Sequence, residues 1–206
     1  MYLVKSPWFF KKIYPKRIWN INTSKKIIYL TFDDGPHPTI TPFVLEVLQN
    51  YQVKATFFCI GDNVNKFPEL YQSIKNQYHK IGNHTYNHLN GWKTTTEDYI
   101  KNILLAEEKI ESKLFRPPYG KLTSSQSKHL QQLGFKIIMW NVLSGDFDKS
   151  INRENCYKNV TTNAKRGSIV VFHDSEKAFE KLQFALPKTL KYFTNQGYTF
   201  ESLPDL

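Results

Sequence analysis

Short apolar runs alternate with longer amphipathic stretches along almost the whole chain of 206 residues. This alternation is typical of α/β proteins in which helices join parallel strands. The candidate strands lie at 27–32, 55–59, 79–82, 113–116, 136–141, 168–172 and 198–201. The candidate helices run from Thr41 to about Asn50 and over 62–77, 95–112, 123–133, 152–165 and 176–195. About seven strand–helix units predict one α/β domain over 27–206, a distorted, nearly closed (β/α)7-type barrel.

Charged or metal-binding residues follow four of these strands directly. Asp33 and Asp34 follow the first strand, and the others are followed by, or end in, His84, Arg116 and His173. In parallel α/β folds the carboxyl ends of the strands share one face, where active sites form. The sequence therefore predicts one site at that face.

Three of these residues, Asp34, His84 and His88, form a candidate metal site. Adjacent carboxylates such as Asp33 and Asp34 repel each other unless a cation lies nearby, although Asp-Gly-Pro is also a good turn. His84 and His88 are four residues apart, so on a helix or a tight helical turn both imidazoles would face the same way. A set of two histidines and a carboxylate suits one divalent ion. Nitrogen and oxygen ligands favour Zn²⁺, with Co²⁺, Mn²⁺ or Ni²⁺ as alternatives.

Arg116 and His173 each allow a structural and a catalytic interpretation. Arg116 precedes two prolines, so it either begins a rigid surface loop or orients a buried carboxylate. In the second case the backbone N–H of Tyr119 is placed to donate to a developing oxyanion. His173 ends an apolar strand and is either structural or a general acid that titrates near neutral pH.

The segments TFDDGP (31–36), HTYNH (84–88) and RPPYG (116–120), together with His173, resemble the motifs of the polysaccharide deacetylases. This family is carbohydrate esterase family 4, which carries the NodB homology domain, and the resemblance extends over about 26–203. It implies a distorted (β/α) barrel and a metal-dependent hydrolase. Such an enzyme removes acetyl groups, here the N-acetyl groups of GlcNAc-type sugars, from a polysaccharide or oligosaccharide.

The resemblance also implies a role for each matching residue. It makes Asp34, His84 and His88 the metal ligands and Asp33 the base that deprotonates the attacking water. Arg116 would hold that base, the Tyr119 N–H would contribute to the oxyanion hole, and His173 would be the general acid. Val171 would form a wall of the pocket for the acetyl methyl group.

The fourth motif of the family, Asp-x-x-Asp-Trp, is only partly matched by residues 143–147. Here the chain reads Leu-Ser-Gly-Asp-Phe, with Leu143 in place of the first acid. By the resemblance, Asp146 would support His173, and Phe147 would line the substrate groove in place of tryptophan. Trp92 is a further candidate for the groove, where an aromatic face stacks on a sugar ring, or else it covers the core.

Residues 1–26 form a basic aromatic N-terminal segment. They hold seven cations and no acid, and so account for most of the net charge of +10. We expect either a strap over one end of the barrel, with aromatic side chains inward and lysines in solvent, or weak contact with an anionic surface. No signal peptide or membrane-spanning run is recognisable, so we expect a cytoplasmic or peripheral location, with export as an alternative.

The function class follows from these observations. The leading hypothesis is a deacetylase whose partner is an acetylated glycan, and a monomer is expected. The alternative is a catalytically weak carbohydrate-binding protein on the same fold. No nucleic-acid partner is expected, because the basic residues cluster at one terminus and nucleic-acid motifs are lacking.

Overall fold

Parallel strands form the centre of the molecule. The structure, a computed structural model, describes residues 3–206. The hydrogen-bonded order is β5-β4-β3-β2-β1-β7-β6, and β8 pairs with β1. The strands are β1 (Ile27–Asp33), β2 (Thr56–Cys59), β3 (Lys80–Asn83), β4 (Leu114–Phe115), β5 (Lys136–Ile137), β6 (Val142–Leu143), β7 (Ile169–His173) and β8 (Thr199–Glu201).

Helices join these strands. They are α1 (Phe9–Ile13), α2 (Ile40–Asn50), α3 (Gly61–Lys66), α4 (Pro68–Asn76), α5 (Thr96–Ile110), α6 (Ser124–Gln132), α7 (Arg153–Asn163) and α8 (Phe179–Thr194). The predicted α/β barrel in a single domain is confirmed. Its main core lies where Phe32, Phe57 and Phe172 stack on neighbouring strands, beneath α2 and α8. Within residues 3–206, no helix is both long and apolar enough to cross a bilayer.

Three of the expected element boundaries are wrong. The predicted helix 62–77 is two helices, because Pro68 excludes Phe67 from the helical conformation and breaks the chain there. The helix expected at Thr41 begins one residue earlier, at Ile40, with Thr39 at its N-cap. The stretch expected as helix from 176 begins with a short 3₁₀ turn, and α8 starts at Phe179.

The predicted strand 136–141 is also divided, because this stretch changes partners. Its first part, β5, pairs with β4, and the chain then crosses to β7, with which β6 pairs. The N-terminal segment lies along this crossing. The Ile18 N–H donates to Ile137 O at 2.8 Å, and the Met139 N–H donates to Ile18 O at 2.7 Å. Residues 18–21 therefore complete the wall of the barrel between β5 and β7.

The N-terminal segment follows the strap interpretation only in part. Trp19 is buried and Phe10 packs against it, with ring centroids 5.6 Å apart. Trp8, Phe9 and Tyr14, however, are exposed, contrary to the expectation that the aromatic side chains point inward. Arg17 is buried and donates to the carbonyl oxygen of Leu122. Tyr2 lies outside the described residues.

Candidate active site

Strand β1 delivers two consecutive carboxylates to the carboxyl edge of the sheet. Asp33 is its last residue and lies beside His173 in the register of β1 and β7. Asp34 turns out of the strand with a left-handed backbone, φ 82°, which an L-residue adopts rarely and aspartate more readily than most. The change of conformation between the two residues sends their side chains to different neighbours.

Asp34, His84 and His88 come together as predicted. One donor atom from each residue lies within 4.8 Å of the others. Asp34 Oδ1 is 3.1 Å from His88 Nε2 and 3.6 Å from His84 Nε2. This oxygen is buried and accepts no well-aligned hydrogen bond from the described residues. A buried anionic oxygen beside two imidazole nitrogens is the arrangement that a divalent cation would satisfy, so these residues fit a metal ion.

The surroundings of His84 leave one ring nitrogen free for a metal. Its Nδ1 is 2.8 Å from the carbonyl oxygen of Arg116, which can only accept, so Nδ1 carries the hydrogen and Nε2 the lone pair. Burial lowers the pKa of His84 to about 4, which keeps the ring neutral. The Nδ1 of His88 is 3.1 Å from the Tyr119 hydroxyl. Each imidazole thus has an outer partner that orients Nε2 towards Asp34.

The expectation that a helix or helical turn pairs the two histidines is wrong. His84 follows β3 directly, and His88 lies in an irregular loop in which Thr85 and His88 have positive φ. The loop is held by the Leu89 N–H, which donates to Thr85 Oγ1 at 3.1 Å. The spacing of four residues therefore reflects a tight loop that folds back over the end of the strand.

Asp33 belongs to a separate, fully buried pair with Arg116. Arg116 Nη1 is 2.6 Å from Asp33 Oδ1 and 2.7 Å from Thr31 Oγ1. The other guanidinium nitrogens donate to the carbonyl oxygens of Ile138 and Met139. Of the two interpretations of Arg116, the structure supports the one in which it orients a buried carboxylate. Three of the four hydrogen bonds hold the planar guanidinium in place, and the fourth fixes Asp33 against it.

His173 is held by Asp146. The carboxylate accepts from the backbone N–H of His173 and from its Nδ1, both at 2.7 Å. Burial alone would lower the pKa of His173, but Asp146, with contributions from Asp34 and Asp33, raises it to about 9. The expected titration near neutral pH is therefore displaced upwards, and the ring is cationic at neutral pH. Its Nε2 is the nitrogen left to act on a substrate.

Two residues that the sequence interpretation missed contact the outer oxygen of Asp34. Lys177 Nζ is 2.8 Å from Asp34 Oδ2, and Ser175 Oγ is 3.2 Å from the same atom. Burial alone would raise the pKa of Asp34, but His88, His173, His84 and Lys177 together hold it well below its usual value. The one sequence signal that could have indicated Lys177 is its position, because it lies only four residues beyond His173 at the end of β7.

Asp174 is a third missed residue beside the site. Its carboxyl group accepts from the Gly35 N–H at 3.1 Å and lies 2.5 Å from the Thr41 hydroxyl. Any side chain at position 35 would collide with it, since a Cβ there would lie 2.0 Å from Asp174 Oδ2. Burial raises the pKa of Asp174 to about 8. Asp174 thus anchors the loop that follows Asp34.

The remaining candidates lie around these groups. Tyr119 has φ 58° and an exposed ring that meets His88. The Phe147 ring packs edge-on against His173, with centroids 5.1 Å apart, and lines a groove of about 740 Å³.

Val171 is fully buried between Thr31 and Leu143. Trp92 is exposed, with the ammonium of Lys121 3.8 Å from its ring.

Comparison with known proteins agrees with the resemblance seen in the motifs. The model of the polysaccharide deacetylase family matches residues 20–138, more than half of the chain. The chain belongs to this family of deacetylases.

Individual relatives match over most of their length. A peptidoglycan-N-acetylglucosamine deacetylase of Bacillus cereus is 35% identical over 195 residues, which cover 91% of each chain. A chitooligosaccharide deacetylase of Azorhizobium caulinodans is 33% identical over 161 residues, 75% of this chain and 76% of that protein. The crystal structure of the Bc1960 peptidoglycan N-acetylglucosamine deacetylase, in complex with 4-naphthalen-1-yl-N-oxidanyl-benzamide, superposes with a TM-score of 0.89. It is 32% identical, and the match covers 97% of this chain and 95% of that one.

Proposed function

We propose that this protein is a metal-dependent hydrolase that removes N-acetyl groups from GlcNAc-type residues of a polysaccharide or oligosaccharide. The observation that carries the proposal is the buried Asp34 Oδ1, which lies beside two imidazole nitrogens without a well-aligned hydrogen bond. Asp33 and His173, a carboxylate and an imidazolium, are register neighbours in the same site. The activities of the two relatives named above support a GlcNAc-type substrate.

Asp34, His84 and His88 are the proposed ligands of one divalent ion, with Zn²⁺ expected. When bound, the ion would polarise the amide carbonyl and make a water molecule acidic enough to attack at neutral pH. Asp33, fixed by Arg116, accepts the proton of that water. His173 donates a proton to the leaving nitrogen, which would otherwise be expelled as a strong base. The Tyr119 N–H is the proposed donor to the oxyanion.

Three residues are proposed to shape the substrate site. Phe147 is proposed to contact the sugar on the side where the amine leaves, because its ring packs against His173 and also lines a groove that extends away from it. Val171 is proposed as the wall behind the acetyl methyl group, and exposed Trp92 as a stacking surface farther out. We expect one chain to suffice, which sedimentation velocity would test.

The decisive experiment measures acetate release from a panel of acetylated oligosaccharides. The protein is first stripped with a chelator and then reloaded with Zn²⁺, Co²⁺, Mn²⁺ or Ni²⁺ in turn. We expect no turnover in the stripped protein and recovery on reloading, with N-acetylated GlcNAc oligomers as the best substrates. Oligosaccharide binding without acetate release under any metal would instead support a catalytically weak carbohydrate-binding protein.

A further inference from the structure

The outward face of the N-terminal segment is unusually apolar for a surface. Among the residues that the structure describes, twelve large apolar or aromatic side chains are exposed, and five of them lie between residues 3 and 14. They are Leu3, Trp8, Phe9, Ile13 and Tyr14. Clusters of this kind mark interaction sites more often than single exposed apolar residues do. We call Trp8, Phe9 and Ile13, with Lys11, Lys12 and Lys16, the N-terminal patch.

The geometry of α1 explains why these side chains face outward. Phe10 is the residue of the helix that packs inward, against the buried Trp19. Trp8 and Lys12, two positions away on either side, project in roughly the opposite direction. The Lys12 ammonium lies 4.9 Å from the centre of the Trp8 ring. Phe9 and Ile13, four residues apart, share a flank of the helix.

The cations of this segment have no acidic partners. Residues 1–26 contain seven lysines and arginines and no Asp or Glu. Among residues 3–206, every ion pair is formed by residues from Asp33 onwards, so none involves this segment. Arg17 points into the protein, which leaves exposed Lys5, Lys11, Lys12, Lys16, Lys25 and Lys26. The exposed apolar side chains thus lie among lysines whose positive charge is not neutralised by ion pairs.

The patch is also held firmly in place. The turn after α1 is fixed by the Arg17 N–H, which donates to Tyr14 O at 3.1 Å, and Ile18 is hydrogen-bonded to both Ile137 and Met139. Because these contacts already order the segment, docking onto a partner would carry little further entropic cost.

We propose that the N-terminal patch docks onto the surface of an anionic lipid bilayer. Tryptophan and phenylalanine favour the boundary between headgroups and acyl chains, and the surrounding lysines are attracted to anionic headgroups. A soluble polyanion would satisfy the lysines but would leave Trp8, Phe9 and Ile13 in water. The pairing of both kinds of side chain therefore favours a membrane. This inference is independent of the proposed activity.

Sedimentation of the full chain with lipid vesicles tests the proposal. The vesicles are phosphatidylcholine with or without phosphatidylglycerol, and salt is varied. We expect binding only to the anionic vesicles and weakening with salt. Reversing three patch charges, by Lys11→Glu, Lys12→Glu and Lys16→Glu together, should lower the partition coefficient by on the order of a hundredfold. The same change in net charge placed on α6, α7 and α8, by Lys128→Glu, Lys158→Glu and Lys191→Glu, is the matched control.

Fluorescence separates membrane insertion from charge attraction alone. Anionic vesicles should shift tryptophan emission to shorter wavelength in the wild type and in Trp92→Phe, but not in Trp8→Phe. Both substitutions replace an exposed ring by a smaller one, so the fold should be retained, which circular dichroism checks. The proposal is overturned if the control triple variant loses as much binding as the patch variant. A shift that persists in Trp8→Phe, or equally poor binding of all variants at low salt, also overturns it.

Discussion

Asp33 and Asp34 are consecutive in the chain, but their carboxylates have very different surroundings. Asp33 is fixed by a fully buried guanidinium, which is in turn held by Thr31 and the carbonyl oxygens of Ile138 and Met139. Asp34 faces the imidazoles of His84 and His88 on one side and an exposed ammonium on the other. A carboxylate that an arginine holds in place is positioned to act as a base. A carboxylate with a buried oxygen that accepts no well-aligned hydrogen bond is suited to act as a metal ligand. In the proposed mechanism the site therefore has a proton-transfer half, which includes Asp33, and a metal half, which includes Asp34.

The substitution Asp33→Asn should have the largest effect, and it tests whether Asp33 and Asp34 have different roles. The amide keeps the size of the side chain but cannot accept a proton, so kcat/KM should fall by roughly 10²–10⁴-fold, the usual contribution of a positioned base. Metal content, measured by atomic emission, should stay at the wild-type level. In the matched variant Asp34→Asn the metal itself should be lost. Wild-type turnover by metal-loaded Asp33→Asn would assign the base to another group.

His88→Ala should damage the metal half alone. Removing one of three ligands should weaken metal binding by tenfold or more, as measured by competition with a chromogenic chelator. Tyr119→Phe is the control, because it removes only the hydroxyl near His88 Nδ1 and should weaken binding less. Unchanged metal affinity in His88→Ala would exclude His88 from the ligand set.

Asp146→Asn should change the pH dependence of the proton-transfer half. The acid form of His173 is populated below its pKa, which Asp146 raises to about 9. Without that carboxylate the pKa should fall towards the ordinary value, so the alkaline limb of the kcat/KM profile should move to lower pH. At about pH 8 the rate should fall by roughly an order of magnitude. If the limb stays in place, His173 is not the acid.

Lys177→Met should have the smallest effect. The ammonium competes with a bound cation for the charge of Asp34, so its removal should tighten metal binding. The gain should be less than about fivefold, because a half-exposed ion pair contributes at most about 1 kcal/mol. Calorimetric titration with Zn²⁺ measures it. A weaker affinity would show instead that Lys177 chiefly orients Asp34.

The positions of the main site residues could be predicted because parallel strands align their carboxyl ends. Asp33, His84, Arg116 and His173 all follow or end strands, so their convergence required no knowledge of loop conformation. His88 was expected on a helical turn, and nothing local in HTYNH indicates the left-handed Thr85. Lys177 was missed because its role depends on how the chain turns after β7.

The N-terminal segment shows a different limit of sequence analysis. Its composition indicated a basic aromatic element, but the division into buried Trp19 and exposed Trp8 depends on tertiary contacts with β5. The divided strand at 136–141 has the same origin, since one extended stretch must pair with β4 and then with β7. Neither β4 nor β7 is close to this stretch in sequence, so the local sequence pattern does not indicate where the strand changes partner.

Arg116 serves the two halves through different parts of one residue. Its guanidinium fixes Asp33, while its backbone carbonyl receives the Nδ1 hydrogen of His84. A substitution at this position can remove the guanidinium but not the carbonyl. If the proposed roles hold, a lineage in which Arg116 is replaced would lose proton transfer first and keep metal binding longer. Proton transfer would be lost first because the contact with Asp33 is made by the side chain. Metal binding would outlast it because the contact with His84 is made by the backbone, which every residue type retains.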